Sequence, residues 1–110
     1  MLSLNIEGDK HFDTVIPYLQ EVKPDIICLQ EVFAADVERF VAATGYQATY
    51  APIVSYDQPN RYDISPRGKW GVLTLTPVAP INSAKVYYHG QADRIPEFVD
   101  GQPNSANRAL

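Results

Sequence analysis

The sequence predicts an α/β fold, and three observations carry that reading. Apolar residues recur at every second position in LSLNI, residues 2–6. They recur at helical spacing across residues 11–22. A continuous apolar run, Ile26-Ile27-Cys28-Leu29, then follows. Period two, period 3.6 and a short apolar run in succession describe a strand, a helix and a second strand. Such a βαβ unit joins two strands by a right-handed crossover.

In the first strand, Leu2, Leu4 and Ile6 share one face and Ser3, Asn5 and Glu7 the other, until Gly8-Asp9 breaks it. In residues 11–22, Phe12, Val15, Ile16, Leu19 and Val22 line up. Pro17 objects, because an interior proline loses a hydrogen bond and crowds the preceding turn. A regular helix over 14–22, with Asp13 or Thr14 near its cap, puts Pro17 in the first turn, where the missing N–H does no harm. Lys23-Pro24-Asp25 ends the helix. Ile26 to Leu29 then reads as a strand covered on both faces. Residues 34–44 form a second amphipathic helix, with Gly45 as its stop. Residues 46–54 read as a strand, and 55–69, with Pro59, Pro66 and Gly68, as a long polar loop of a kind usually functional or mobile. GVLTLTP, residues 71–77, is an alternating strand stopped by Pro77. A short strand is expected at 84–88, followed by a polar stretch broken by Pro96 and Pro103.

The 110 residues suffice for one small domain. With 45% hydrophobic and 20% charged residues the chain is globular rather than disordered. No apolar run approaches the ~20 residues that span a bilayer, and the start lacks the pattern of a signal peptide. Cys28 stands alone, so no internal disulfide forms; it reads as a small core hydrophobe. The expected setting is cytoplasmic. A net charge of −4 argues against a broad nucleic-acid-binding surface. It does not bar a site that meets phosphate through a metal ion.

The run IICLQEV ends in a carboxylate, Glu31, at the carboxyl end of its strand. Asn5 and Glu7 lie at the carboxyl end of the first strand. In open α/β sheets, ligands sit beyond those ends. If the two strands are neighbours, an amide and two carboxylates converge. Hard oxygen donors in such small number suit Mg²⁺ or Mn²⁺, which take one or two protein carboxylates plus water and substrate phosphate.

With those residues in view, the chain resembles the N-terminal half of the endonuclease/exonuclease/phosphatase family. Asn5-Ile6-Glu7-Gly8 matches the family's Asn-x-acid-Gly strand end, and Pro24 to Glu31 matches Pro-Asp-x-x-x-Leu-Gln-Glu. Gly71 to Pro77 matches a third, weaker feature. The resemblance implies a four-layer α/β sandwich, two mixed sheets flanked by helices, of which this chain is the N-terminal part. It implies hydrolysis of a phosphate ester, with Glu31 coordinating a divalent metal, Asn5 contributing to the metal and phosphate environment, and Glu7 beside them. The family's later motifs, Gly-Asp-x-Asn and Ser-Asp-His, are absent. His11 and His89 stand in other contexts. The chain is therefore expected to be part of a domain whose remainder lies downstream, and to be inactive alone.

Arg61, Arg67 and Lys69, with Tyr56, Tyr62 and Trp70, make the 55–69 region basic and aromatic. Such a loop can bind substrate phosphate and stack bases, although more often it is solvated. Nucleic acid, a phospholipid head group and an inositol phosphate all stay open as substrates. The alternative is a non-catalytic α/β interaction module that kept the scaffold.

Overall fold

The computed structural model describes residues 1–80, 84, 86–90, 94–100, 106 and 108–109. The elements are β1 (Leu2–Asn5), α1 (Phe12–Val22), β2 (Ile27–Phe33), a 3₁₀ turn (Ala34–Asp36), α2 (Val37–Thr44), β3 (Gln47–Tyr56), β4 (Gly68–Thr76), β5 (Tyr87–His89) and β6 (Arg108–Ala109). Four strands form a mixed sheet in the order β1-β2-β4-β3, and β5 pairs with β6. β1 and β2 run parallel, Leu2 beside Ile27 and Asn5 beside Gln30, as the βαβ reading requires. β4 runs antiparallel to both of its neighbours. No described helix is long and apolar enough to cross a membrane.

Several expectations are corrected. Helix α1 begins at Phe12, so Pro17 lies in its second turn, and neither Asp13 nor Thr14 caps it. Packing overrides the local preference: Phe12 meets Phe40 edge-on at 5.7 Å, and the Arg39 guanidinium sits 4.4 Å from the Phe12 ring centroid. The helix closes at Lys23, in the left-handed conformation, whose N–H bonds the Leu19 carbonyl. The helix expected over 34–44 begins with the 3₁₀ turn and becomes α-helical at Val37. Ile26 lies outside β2 and is exposed. Before its bulge, β2 is buried only on its helix side, at Ile27 and Leu29, while Cys28 is half-buried on the other side. The loop is shorter than 55–69, because β3 runs to Tyr56 and β4 starts at Gly68. The strand expected at 84–88 is found at Tyr87–His89. Asn107 and Leu110, on either side of β6, lie outside the described residues.

Two bulges shape the sheet. On β2 the register passes from Leu29↔Leu73 to Val32↔Gly71, one residue too many. On β3 it passes from Pro52↔Gly71 to Val54↔Trp70, again one too many. Side chains alternate strictly along a strand, so one extra residue sends everything beyond it to the other face. Before the bulges, Ile27, Leu29, Leu73 and Leu75 join Leu19 and Phe40 in a core beneath the helices. Beyond them, Phe33, Val54, Tyr56 and Trp70 form a second core with Phe98 and Ala106. Phe98 arrives through a short bridge, its N–H bonding the Ser55 carbonyl at 2.8 Å.

Gly71 sits between the bulges, and a Cβ there would lie 2.1 Å from the Ala51 carbonyl oxygen. That neighbour is backbone and cannot step aside. Gly71→Ala is expected to lower stability by about 3 kcal/mol in urea unfolding. Gly45→Ala has open space but a φ of 73°, and is expected to lose about 1 kcal/mol.

Candidate metal and phosphate site

The bulge answers why an apolar run ends in an acid. In unbroken alternation after Ile27 and Leu29, Glu31 would point into the helix-side core. Instead it takes a left-handed φ of 63° inside the bulge, and Val32 takes the core position. β2 does not end at Glu31, as the sequence suggested, but continues to Phe33. Glu31 is half-buried. Among the described residues no side chain pairs with its carboxylate.

Glu7 lies just past β1, also left-handed, with φ 51°. The Asn5 side-chain oxygen accepts the Glu7 backbone N–H at 3.0 Å, an Asx turn that sets the backbone. The next residue, Gly8, donates its N–H to the Glu31 carbonyl at 2.9 Å. Gly8 has a φ of 69° and packs so closely on Phe33 that a Cβ would come within 2.9 Å of the ring. The two acid-bearing turns are thus joined backbone to backbone. Non-glycine residues in this conformation store about 1–3 kcal/mol each and persist where the surroundings fix them.

Asn5, Glu7 and Glu31 line one cavity of about 490 Å³, with Lys10. The rest of the lining is Ile53, Val54, Tyr56, Tyr62, Ile64, Trp70 and Ala106. Burial pushes the Tyr56 phenol up, and the Glu31 charge and Tyr62 push it further. Trp70 stacks obliquely on Phe33 and Tyr56, and its buried indole N–H has no acceptor among the described residues. The cavity therefore carries oxygen ligands for a cation beside an aliphatic and aromatic lining. No group of three or more His, Cys, Asp or Glu that could hold a metal occurs among the described residues. Two carboxylates and an amide still fit Mg²⁺ or Mn²⁺, whose remaining positions go to water and phosphate.

The structure brings Asn5, Glu7 and Glu31 together, but not the basic residues expected to bind substrate. Arg61, Arg67 and Lys69 do not line the cavity. Arg67 grips the buried Asp36 with two hydrogen bonds, of 2.7 and 2.8 Å, and reaches Asp9 at 3.2 Å. The hydrogen bond to Asp36 holds the Arg67 guanidinium above its already high range. Arg61 pairs loosely with Asp100 at 3.8 Å, and Lys69 is exposed on β4. His11 lies 3.7 Å from the Glu7 carboxylate, both largely exposed. His89 falls in β5, and its side chain lies outside the described residues. Sequence reading missed Lys10 as a site residue. It also missed Asn60, whose side-chain oxygen accepts the Tyr62 and Ile64 N–H groups and shapes the loop. Asparagine between Pro59 and a polar run was the available signal.

Oxygen-bearing side chains from the end of β1, the turn after it and the bulge within β2 thus line one cavity of a mixed α/β sheet. The sequence profile of the Endonuclease/Exonuclease/phosphatase family matches residues 2–108, and the chain belongs to that family. It is also similar to the crystal structure of endonuclease/exonuclease/phosphatase from Beutenbergia cavernae DSM 12333, with 19% identity over 66% of this chain and a TM-score of 0.47. The match spans 22% of that protein's length. No curated protein matches the chain.

Beside the site, the Tyr50 hydroxyl lies 2.9 Å from the Val32 carbonyl and 3.3 Å from that of Lys69. It fastens the exit of the Glu31 bulge to β4. Burial raises the Tyr50 phenol above its ordinary value, with a smaller contribution from Tyr87. The unfolded chain therefore gives up this proton first, from pH about 10 upward. Stability is fully present below that pH and falls above it. Tyr50→Phe is expected to lose about 1 kcal/mol at neutral pH and to flatten the alkaline fall, read by urea unfolding from pH 7 to 11.

Proposed function

We propose that this chain supplies the metal-binding acids of a divalent-metal-dependent phosphoesterase, with Mg²⁺ or Mn²⁺ as the ion. The observation that carries this reading is the unpaired, half-buried Glu31 carboxylate, which shares a cavity with Asn5 and Glu7. An acid turned out of a core by a strained bulge, and left without a cation, suits a ligand role. Glu31 is the principal ligand, and Glu7 and Asn5 stand beside it. When bound, the ion polarises a phosphoryl oxygen and lowers the pKa of a bound water. Lys10 adds positive charge at the rim, where a phosphate needs it. The Asn5 side chain fixes the turn that presents Glu7.

The proposed substrate is a phosphate ester. Nucleic acid, a phospholipid head group and an inositol phosphate share the group that this site would grip, and fold alone does not choose among them. The proton-handling histidine and aspartate would come from outside this chain.

Glu31→Gln keeps size and removes charge. In the intact protein it is expected to lower Mg²⁺-dependent hydrolysis of bis(p-nitrophenyl) phosphate at least ~100-fold, since such a ligand is worth several kcal/mol in the transition state. An unchanged rate would remove Glu31 from the metal site, and no hydrolysis or metal binding by the unaltered protein would favour the interaction-module reading instead.

A further inference from the structure

We propose that Arg67 is a positioning residue that holds the two acid-bearing turns from behind. This rests on the metal-site reading of Glu7 and Glu31. Arg67 does not line the cavity, yet its contacts reach both turns. Its guanidinium donates to Asp9, two residues beyond Glu7, at 3.2 Å. The same group lies 5.1 Å from the ring centroid of Phe33, two residues beyond Glu31. Phe33 in turn abuts Gly8, whose N–H bonds the Glu31 carbonyl.

The anchor of this clamp is Asp36, only 5% exposed, which takes both prongs of the fork. Ser65, on the same loop as Arg67, also donates to Asp9, its hydroxyl 3.2 and 3.4 Å from the two carboxylate oxygens. Only a planar, multi-donor cation can grip one carboxylate bidentately, touch a second and lie over a ring. Lysine carries the charge but not the fork. The left-handed conformations of Glu7 and Glu31 need surroundings that fix them, and the clamp supplies contacts to both turns from outside the cavity lining.

The test uses the intact protein with Arg67→Lys and, as a milder break, Asp9→Asn. Three readouts separate the roles: Mn²⁺ affinity by calorimetry without substrate, kcat and KM on bis(p-nitrophenyl) phosphate, and amide exchange at Gly8 against Leu73. Positioning predicts for Arg67→Lys a roughly 10-fold loss of Mn²⁺ affinity and of kcat, as for other groups that orient metal ligands. KM stays within about twofold and Gly8 exchange rises about 10-fold over Leu73. Asp9→Asn moves the same quantities by less, and decides the matter if Arg67→Lys does not fold. A raised KM with unchanged Mn²⁺ affinity would make Arg67 a substrate contact and overturn the proposal. So would equal acceleration at Gly8 and Leu73, or no change at either. If the unaltered protein neither binds Mn²⁺ nor hydrolyses the ester, the metal-site reading fails, and the exchange comparison alone decides whether Arg67 holds the turns.

Discussion

The structure depends on a change of face in the sheet at the level of Gly71. β4 passes straight through, while both neighbours carry an extra residue beside it. Without those residues, Val54 and Tyr56 would point under the helices and Glu31 would be driven into hydrocarbon. With them, one sheet serves two cores, and the acid escapes at the seam between them. The seam is tight enough that only glycine fits at its centre, against the Ala51 carbonyl.

The acids around this seam fall into two kinds. Asp36 and Asp9 share one guanidinium and so have their charge answered within the protein. Among the described residues Glu31 makes no ion pair, and Glu7 pairs only with the exposed His11. A buried or half-buried carboxylate is stable as an ion when a cation or donor meets it. The fold thus sets Arg67 on the supporting aspartates rather than on the acids that line the cavity.

The alternating pattern of LSLNI and GVLTLTP and the helical spacing of Phe12 to Val22 made the strands and helices legible, because burial on one face writes itself into sequence. Asn5 and Glu31 were legible from their position after apolar runs. The start of α1 was not, since the Phe12–Phe40 contact outweighs the local objection of Pro17. Nor were the bulges, because one surplus residue in a strand leaves the apolar count unchanged. Arg67 was misplaced for a related reason. A basic residue in a polar loop looks solvent-bound until its partner, Asp36, is known, and the two stand 31 positions apart.

The second core draws Phe98 and Ala106 onto a wall otherwise built from residues 33–70. Chains emerge from the ribosome at about 5–20 residues per second. The helix-side core is complete once Leu75 has emerged, so the acid-bearing turns can settle first. The aromatic wall, with its tryptophan and tyrosines, waits for Phe98 and stays uncovered for a second or more. Within that interval the nascent chain exposes a sticky aromatic surface beside a formed acidic cleft. Chaperone capture in that window would depend on translation speed over the stretch between Thr76 and Phe98.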